Sequence, residues 1–155
     1  MTSKYREDKI KYHPLRISIY IYILIIPIFI NPAYGLSDKH SSVYEEKLLS
    51  YINQYRAKNG LKPISFDETL NHLAKSHSRY MCDLNDLNHD NFNERFKQCR
   101  RLLCVENVGW NYPTPETQFR AWKNSRDHNA NLLNKRIKHA GISKVGSYVT
   151  FFACN

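Results

Sequence analysis

The chain has 155 residues, of which 42% are hydrophobic, and it carries a formal net charge of +9 at pH 7. This length suits one domain with one hydrophobic core. The basic residues are scattered apart from two short groups, Lys97–Arg101 and Lys135–Lys138, so the positive charge does not indicate a nucleic-acid-binding groove.

Residues 1–35 have the three-part order of a secretory signal peptide. Five basic and two acidic residues precede or border the uncharged stretch Ile17–Ile30, and Ala33 and Gly35 then suit the −3 and −1 positions of a cleavage site. The apolar stretch has 14 residues, fewer than the roughly 20 that span a bilayer. We therefore predict a signal peptide over 1–35, with an uncleaved membrane anchor as the alternative, and a secreted domain over 36–155 with a charge of about +6 that meets the membrane only during export.

All four cysteines follow the predicted leader, at Cys82, Cys99, Cys104 and Cys154. An even number of cysteines on an exported chain predicts two disulfide bonds. Three pairings are possible, and the sequence does not decide among them. The spacing matches no zinc-finger pattern, and pairing of all four would leave no cysteine nucleophile.

Two helices are predicted in the first half of the secreted domain. In the first helix, Ser42 and Glu45 can form a capping box, and an apolar stripe continues towards Gly60. The segment "LKPISF" is predicted to be an extended link, after which Asp67 can cap the second helix. Residues 83–101 are polar and predict a long loop with a short helical turn, pinned by the two cysteines that flank it.

The second half of the domain predicts a strand, a helix and a hairpin. The strand is "CVENVGW", and Thr114 and Pro115 suit the cap and first position of the third helix. The segment "GISKVGSYVTFFAC" predicts two strands around a type II′ turn at Gly146 and Ser147. Because the elements do not alternate as β-α-β, they predict an α+β layered fold.

Four polar side chains in the second half of the chain are candidates for one site. His89 lies in the polar loop, Glu106 lies in the predicted strand, and Ser125 and His128 follow the third helix. A carboxylate buried alone costs several kcal/mol, so Glu106 needs partners, and a pair of imidazoles would serve. The other histidines, including His77 on the second helix, are predicted to be surface or core-edge residues with one hydrogen bond.

Several segments taken in order resemble the CAP superfamily, also called the SCP domain. They are "LLSYINQYRAKNGLKPISFDETLNHLAKSHSRYM", "NHDNFNERF", "VENVGW", "FRAWKNSRDHNANLLN" and "HAGISKVGSYVTFFA". The family includes cysteine-rich secretory, antigen-five and pathogenesis-related plant proteins, and this chain is most similar to its compact, bacterial-type branch. The resemblance covers nearly all of Ser42–Cys154 and implies a three-layer α-β-α sandwich with a small antiparallel sheet.

The resemblance also implies a central cleft with two histidines and two glutamates, in which the histidines of some members hold a divalent metal. By position, His89 and His128 take the places of the histidines, and Glu106 takes the place of the first glutamate. Ser125 replaces the second glutamate, and "SRDHN" lacks the Pro-Gly that precedes the histidine in the bacterial-type branch. The expected site is therefore a triad plus a hydroxyl, with His89 and His128 as metal ligands.

The family implies a secreted, monomeric, non-enzymatic module that binds zinc or another divalent metal, a lipid, sterol or other small ligand, or an extracellular partner. The alternative is a secreted metal-assisted hydrolase, for example a peptidase, in which Glu106 acts as a base on a bound water. Ser125 beside His128 is a weaker candidate nucleophile. A ribonuclease is disfavoured because Glu106 would repel the phosphate, and no nucleic-acid partner is expected.

Overall fold

The computed structural model describes residues 43–155, so the predicted signal peptide, its cleavage site and the capping residue Ser42 lie outside the described residues. The elements in chain order are α1 (Val43–Lys58), β1 (Ser65–Phe66), α2 (Glu68–Leu84), α3 (Phe92–Cys99), β2 (Cys104–Trp110), α4 (Pro115–Asn124), α5 (Arg126–Leu132), β3 (His139–Val145) and β4 (Tyr148–Cys154). None of the helices within 43–155 combines the length and the apolar composition that crossing a membrane requires.

Local sequence signals set the ends of two helices as predicted. The Asp67 carboxylate accepts a hydrogen bond of 2.9 Å from the Leu70 backbone N–H at the start of α2. At the start of α4, Thr114 and Thr117 form a reciprocal capping box, and Pro115 occupies the first turn. Each cap satisfies backbone donors that the helix itself leaves unpaired.

Within residues 43–155, four strands form one mixed sheet in the order β1-β3-β4-β2. The β3–β4 and β4–β2 pairs are antiparallel as expected, whereas the two-residue β1, predicted as a link, pairs parallel with β3. Gly146 has φ +58° at the β3–β4 turn, and Ser147 does not have a positive φ, as the predicted type II′ turn requires. The sheet order leaves β2 as an edge strand.

Alternation along β4 divides the core into two apolar layers and confirms the three-layer sandwich. Phe151 packs on one face with residues of α1 and α4, including Leu48 and Trp122. Phe152 packs on the other face against Leu70 and neighbouring residues of α2. The sheet is therefore covered by α1, α4 and α5 on one side and by α2 and α3 on the other.

The segment predicted as one long loop is mostly helical. The helix α2 continues to Leu84, and α3 occupies Phe92–Cys99, which leaves two short connections, 85–91 and 100–103. The predicted helical turn falls within α3. The sequence prediction fell short because α3 has only eight residues and most of them are polar, so its few apolar positions give a short signal.

The prediction of two disulfides is wrong. Cys104 and Cys154 form one bond, whereas Cys82 and Cys99 are free. Cys82 lies beside Gly146 near one end of β2, and Cys99 lies near the other end, against the disulfide. A seven-residue strand separates its ends by about 20 Å, well beyond disulfide reach. The polar segment is therefore not pinned by a bond between its flanking cysteines, and two thiols remain unbonded.

Candidate functional site

Glu106 lies in the middle of β2 and is buried, with 6% of its surface exposed. It stands directly opposite Phe152 in the register of β2 and β4, so it points to the face that α2 and α3 cover. Alternation along the strand turns Asn107 to the other face. A carboxylate in this position needs charged or hydrogen-bonding partners, because an isolated buried charge is strongly destabilising.

The main partner of Glu106 is Arg95 of α3, which the sequence reasoning missed. Arg95 Nε donates to Glu106 Oε2 and its Nη2 donates to Oε1, both at 2.8 Å. Two parallel bonds between a guanidinium and a carboxylate form the strongest common type of ion-pair contact. A third donor, Nη1, binds the Asp90 carbonyl at 2.7 Å, so Arg95 also fixes the connection before α3.

His89 reaches the same carboxylate, as predicted. Its Nδ1 lies 2.9 Å from Glu106 Oε1, and its side chain is 51% exposed. A carboxylate only accepts, so this contact places the proton of neutral His89 on Nδ1 and leaves the Nε2 lone pair free. The pairing of Glu106 with at least one imidazole is therefore present in the structure.

His77 of α2 is a second imidazole near Glu106 and was predicted only as a core-edge residue. Its Nε2 lies 3.0 Å from the Asn88 carbonyl and 3.7 Å from Glu106 Oε1, so it has the one hydrogen bond expected of it. Its Nδ1 is buried without a hydrogen-bond partner among the described residues. Burial lowers the pKa of His77, which keeps the ring neutral, although the negative charge of Glu106 opposes this shift.

His128 belongs to α5, which covers the face of the sheet opposite to the Glu106 side chain. Its backbone carbonyl accepts a 3.0 Å bond from Asn107 Nδ2, and Asn131 Nδ2 binds Asn107 Oδ1 at 2.8 Å. Burial lowers the pKa of His128, and His89 lowers it further when it is protonated, whereas the negative charge of Asp127 opposes the shift.

Ser125 and His128 line a hollow of about 300 Å³ at the outer end of β2. Ser125 is the junction between α4 and α5, and its side chain makes no capping hydrogen bond there. The remaining lining residues are mostly apolar or aromatic: Leu87, Val108, Gly109, Trp110, Tyr112, Ala121 and Trp122. Ser125 thus shares a surface with His128, but Glu106 does not line this hollow.

The structure brings some of the predicted site residues into contact and leaves others apart. Within residues 43–155, the one group of at least three possible metal-binding side chains with all ligand atoms within 4.8 Å of one another is Cys99, Cys104 and Cys154. His89, His128 and Glu106 do not form such a group. Glu106 contacts His89 directly, whereas His128 lies on the far side of the β2 edge.

The comparisons with known proteins agree with this architecture. The model of the cysteine-rich secretory protein family, CAP, matches residues 49–155. The chain belongs to this family. The CAP domain is also 34% identical over 113 residues to the uncharacterised protein YkwD of Bacillus subtilis, an alignment that covers 68% of this chain and 44% of YkwD.

Three bacterial structures share the CAP fold. An extracellular SCP-domain protein of Bacillus anthracis superposes with a TM-score of 0.69 at 22% identity, over 72% of this chain and 40% of that one. A cysteine-rich secretory protein of Staphylococcus aureus gives 0.66 at 21%, over 72% and 38%. An outer surface protein of Borrelia burgdorferi gives 0.66 at 20%, over 71% and 90%. The chain thus spans less than half of YkwD and of the first two structures.

The buried ion pair of the CAP domain predicts a stability cost for Glu106→Gln. The substitution keeps the shape of the side chain but leaves Arg95 buried without its counter-charge, which costs about 3–5 kcal/mol. We expect urea unfolding monitored by circular dichroism to show this loss. Glu116→Gln is the matched control, because it breaks the exposed Glu116–Arg120 pair, and exposed pairs contribute about 1 kcal/mol or less. Equal losses in the two variants would contradict a structural role for the buried pair.

The buried His77 predicts that the CAP domain loses stability in mild acid. Because the pKa of His77 is lowered by folding, the unfolded chain binds this proton more readily. The free energy of unfolding is then highest above the ordinary pKa of about 6.5 and falls below it, by at most about 1.4 kcal/mol per pH unit for each such group. We expect urea titrations at pH 7, 6 and 5 to show this fall.

The substitution His77→Gln tests the assignment, because the amide does not titrate and retains an N–H donor. It should flatten the fall in stability between pH 7 and pH 5. His72→Gln, at an exposed position of the same helix, is the matched control and should keep the wild-type slope. An unchanged slope in His77→Gln would show that this buried ring is not a source of the acid sensitivity.

Proposed function

We propose that this CAP domain is a secreted, non-enzymatic binding module whose ligand occupies the hollow beside His128. The observation that carries the proposal is the lining of this hollow of about 300 Å³, which is largely apolar and aromatic with a few polar groups. Concave, mostly apolar surfaces with a small number of polar groups are typical of small-molecule sites. The proposed ligand is a small amphipathic molecule, such as a single-chain lipid or a sterol.

The rim of the hollow supports this proposal because it leaves large apolar side chains in water. Leu87 is 47% exposed, Trp110 is 50% exposed and Tyr112 is 37% exposed. The buried side of the hollow contains Trp122, and Ser125 and His128 add polar groups. An apolar ligand would cover the exposed rim, and its polar end would bind the hydroxyl or the neutral imidazole.

The secreted location is part of the proposal. Two of the similar structures are described as an extracellular protein and an outer surface protein, which supports an extracellular place of action. We expect a monomer that meets an extracellular partner or lipid. Because this chain covers only part of the length of its longer relatives, the proposed role concerns the CAP domain alone.

The contacts of Glu106 favour binding over hydrolysis. A general base must present a free oxygen to the water or substrate that it deprotonates. Both oxygens of Glu106 already accept hydrogen bonds from Arg95, and Oε1 also contacts His89. The carboxylate is therefore better placed to hold the two neighbouring side chains than to act as the base of a hydrolase.

A cavity-filling variant tests the ligand site. Both tryptophans of the chain, Trp110 and Trp122, line the hollow, so their fluorescence should shift when laurate or a sterol sulfate binds. Ala121→Leu should weaken binding about tenfold, because the larger side chain occupies space in the hollow that the ligand would fill. Ala130→Leu, at an exposed position of α5, is the matched control.

Two results would contradict the binding-module proposal. The first is a failed fluorescence titration, in which neither probe shifts the tryptophan emission or Ala121→Leu leaves the binding unchanged. The second is hydrolysis of casein that a chelator abolishes, which would instead support the metal-assisted peptidase.

A divalent metal held by His89 and His128 is the second candidate, and one contact favours it. His89 donates Nδ1–H to Glu106, which is the arrangement that orients metal-binding histidines and leaves Nε2 as the ligand atom. The lowered pKa of His128 keeps that ring neutral and able to bind. Two neutral imidazoles would hold an ion such as zinc only weakly, and the ion would supply a Lewis acid and retain water ligands. Glu106 would orient His89 rather than bind the ion.

Titration calorimetry with Zn²⁺ on the oxidised full-length chain tests this metal site. We expect one weak site in the wild type and its loss in the double variant His89→Ala/His128→Ala. His72→Ala, which removes an exposed imidazole elsewhere, should bind as the wild type does. Equal binding by the wild type and the double variant would rule out these two ligands.

A further inference from the structure

Three sulfur atoms meet at the end of the sheet farthest from the hollow. Cys104 begins β2, Cys154 ends β4, and they stand directly opposite each other in the register and form the disulfide. Cys99, the last residue of α3, is a free thiol whose Sγ lies 3.3 Å from Cys104 Sγ and 3.8 Å from Cys154 Sγ. Three separate elements therefore bring one cysteine each to a common point.

The placement of Cys99 does not favour attack on the disulfide. An exchanging thiolate bonds to one sulfur and expels the other, so it must approach beyond one end of the S–S bond. Cys99 Sγ is instead nearly equidistant from the two sulfurs and lies beside the bond. It also donates its hydrogen to the Phe96 carbonyl at 3.0 Å, one turn earlier in α3.

A triangle of sulfurs suits a shared metal ion. Zinc–thiolate bonds of about 2.3 Å in a tetrahedral site place neighbouring sulfurs about 3.8 Å apart. Two edges of this triangle, 3.3 and 3.8 Å, are already close to that value, and the third edge is the disulfide itself. We propose that reduction of the Cys104–Cys154 bond converts Cys99, Cys104 and Cys154 into a thiolate site for Zn²⁺ or a similar thiophilic divalent ion.

The chemistry balances in two steps. A dithiol gives two electrons and two protons to the Cys104–Cys154 bond, which becomes two thiols, and the dithiol leaves as its own disulfide. The metal ion then displaces three thiol protons and binds three thiolates, with a fourth position open to water or another ligand. The disulfide and the metal are thus alternative states of the same cysteines.

The surroundings favour a divalent ion over bare thiolates. Cys154 is fully buried, and the cluster packs against apolar side chains of α2 and β4, including Leu70, Leu73 and Phe152. Negative charge in such a place is costly unless it is compensated. A divalent cation leaves one net negative charge on three thiolates, whereas a monovalent cation would leave two.

An access route to the site also exists. Leu73 belongs both to the apolar packing around the sulfurs and to the lining of an open hollow of about 500 Å³. Gln98, the residue before Cys99, lines the same hollow, together with Glu68 and His72. A solvated ion could therefore come within one layer of side chains of the thiols.

The test uses the full-length chain, reduced with a dithiol and desalted without oxygen, and titrated with Co²⁺. Cobalt bound to thiolates absorbs strongly in the near ultraviolet, whereas cobalt bound only to imidazoles does not. We expect this band to saturate at one Co²⁺ per chain, to bleach when Zn²⁺ displaces the cobalt, and to be absent from the oxidised protein. Absence of the band from the reduced wild type would overturn the proposal.

Two cysteine variants and one histidine variant separate this site from others. Loss of a side chain that only hydrogen-bonds a metal ligand weakens metal binding about 10–100-fold. Cys99→Ser removes a ligand itself, so it should weaken binding by at least about 100-fold. Cys82→Ser, which removes the other free thiol, and His89→Ala/His128→Ala should both keep the full band. A full band in Cys99→Ser would overturn the three-thiolate site.

A second measurement covers the case in which reduction unfolds the chain. Near-ultraviolet circular dichroism would then be lost on reduction, and we expect one equivalent of Zn²⁺ to restore it in the wild type but not in Cys99→Ser. Failure of Zn²⁺ to restore the signal of the reduced wild type would count against the proposal.

Discussion

The constraint on which this domain depends is a carboxylate buried on an edge strand. Glu106 cannot remain charged in the layer between β2 and α2 without donors, and Arg95 supplies two of them in parallel. Since Arg95 also holds the Asp90 carbonyl, one guanidinium ties α3 and the connection before it to the sheet. His89 lies on that connection, so its contact with Glu106 follows from the same ion pair.

The other side of β2 is secured by a different set of bonds. As an edge strand, β2 presents carbonyls that no neighbouring strand can use, and unpaired strand edges invite association with other chains. Trp122 Nε1 binds the Val108 carbonyl at 2.9 Å, and Asn131 Nδ2 binds the Glu106 carbonyl at 3.1 Å. These bonds fasten α4 and α5 along the edge, where the His128 backbone carbonyl accepts a hydrogen bond from Asn107. The hollow lies where Leu87, in the connection before α3, and residues of α4 and α5 surround the outer end of β2.

The sequence predicted what local chemistry determines. The caps at Asp67 and Thr114 and the turn at Gly146 depend on residues close in the chain, and the alternation in β2 predicted that Glu106 needs partners. Two features depend on tertiary placement and were missed or predicted wrongly. Arg95 was missed as the main partner because α3 is short and polar. The chain has 23 Lys and Arg residues, and nothing in the sequence alone indicates which of them pairs with Glu106. The predicted number of two disulfides was wrong because the count of cysteines says nothing about which end of a strand each cysteine occupies.

The register of β2 and β4 also links the thiols to the buried ion pair. Cys104 and Glu106 are two residues apart and share a face, and Cys99 and Arg95 are four residues apart on α3, one turn of that helix. The disulfide joins only the two strands, across a sequence separation of 50 residues, and closing a loop of that size contributes about 4 kcal/mol in the chain-entropy account. A metal on all three cysteines would restore that constraint and add α3 to it. Helix α3 would then be attached to the sheet through Cys99 as well as through Arg95. Reduction or oxidation of the cysteines would therefore change how firmly Arg95 and His89 are held.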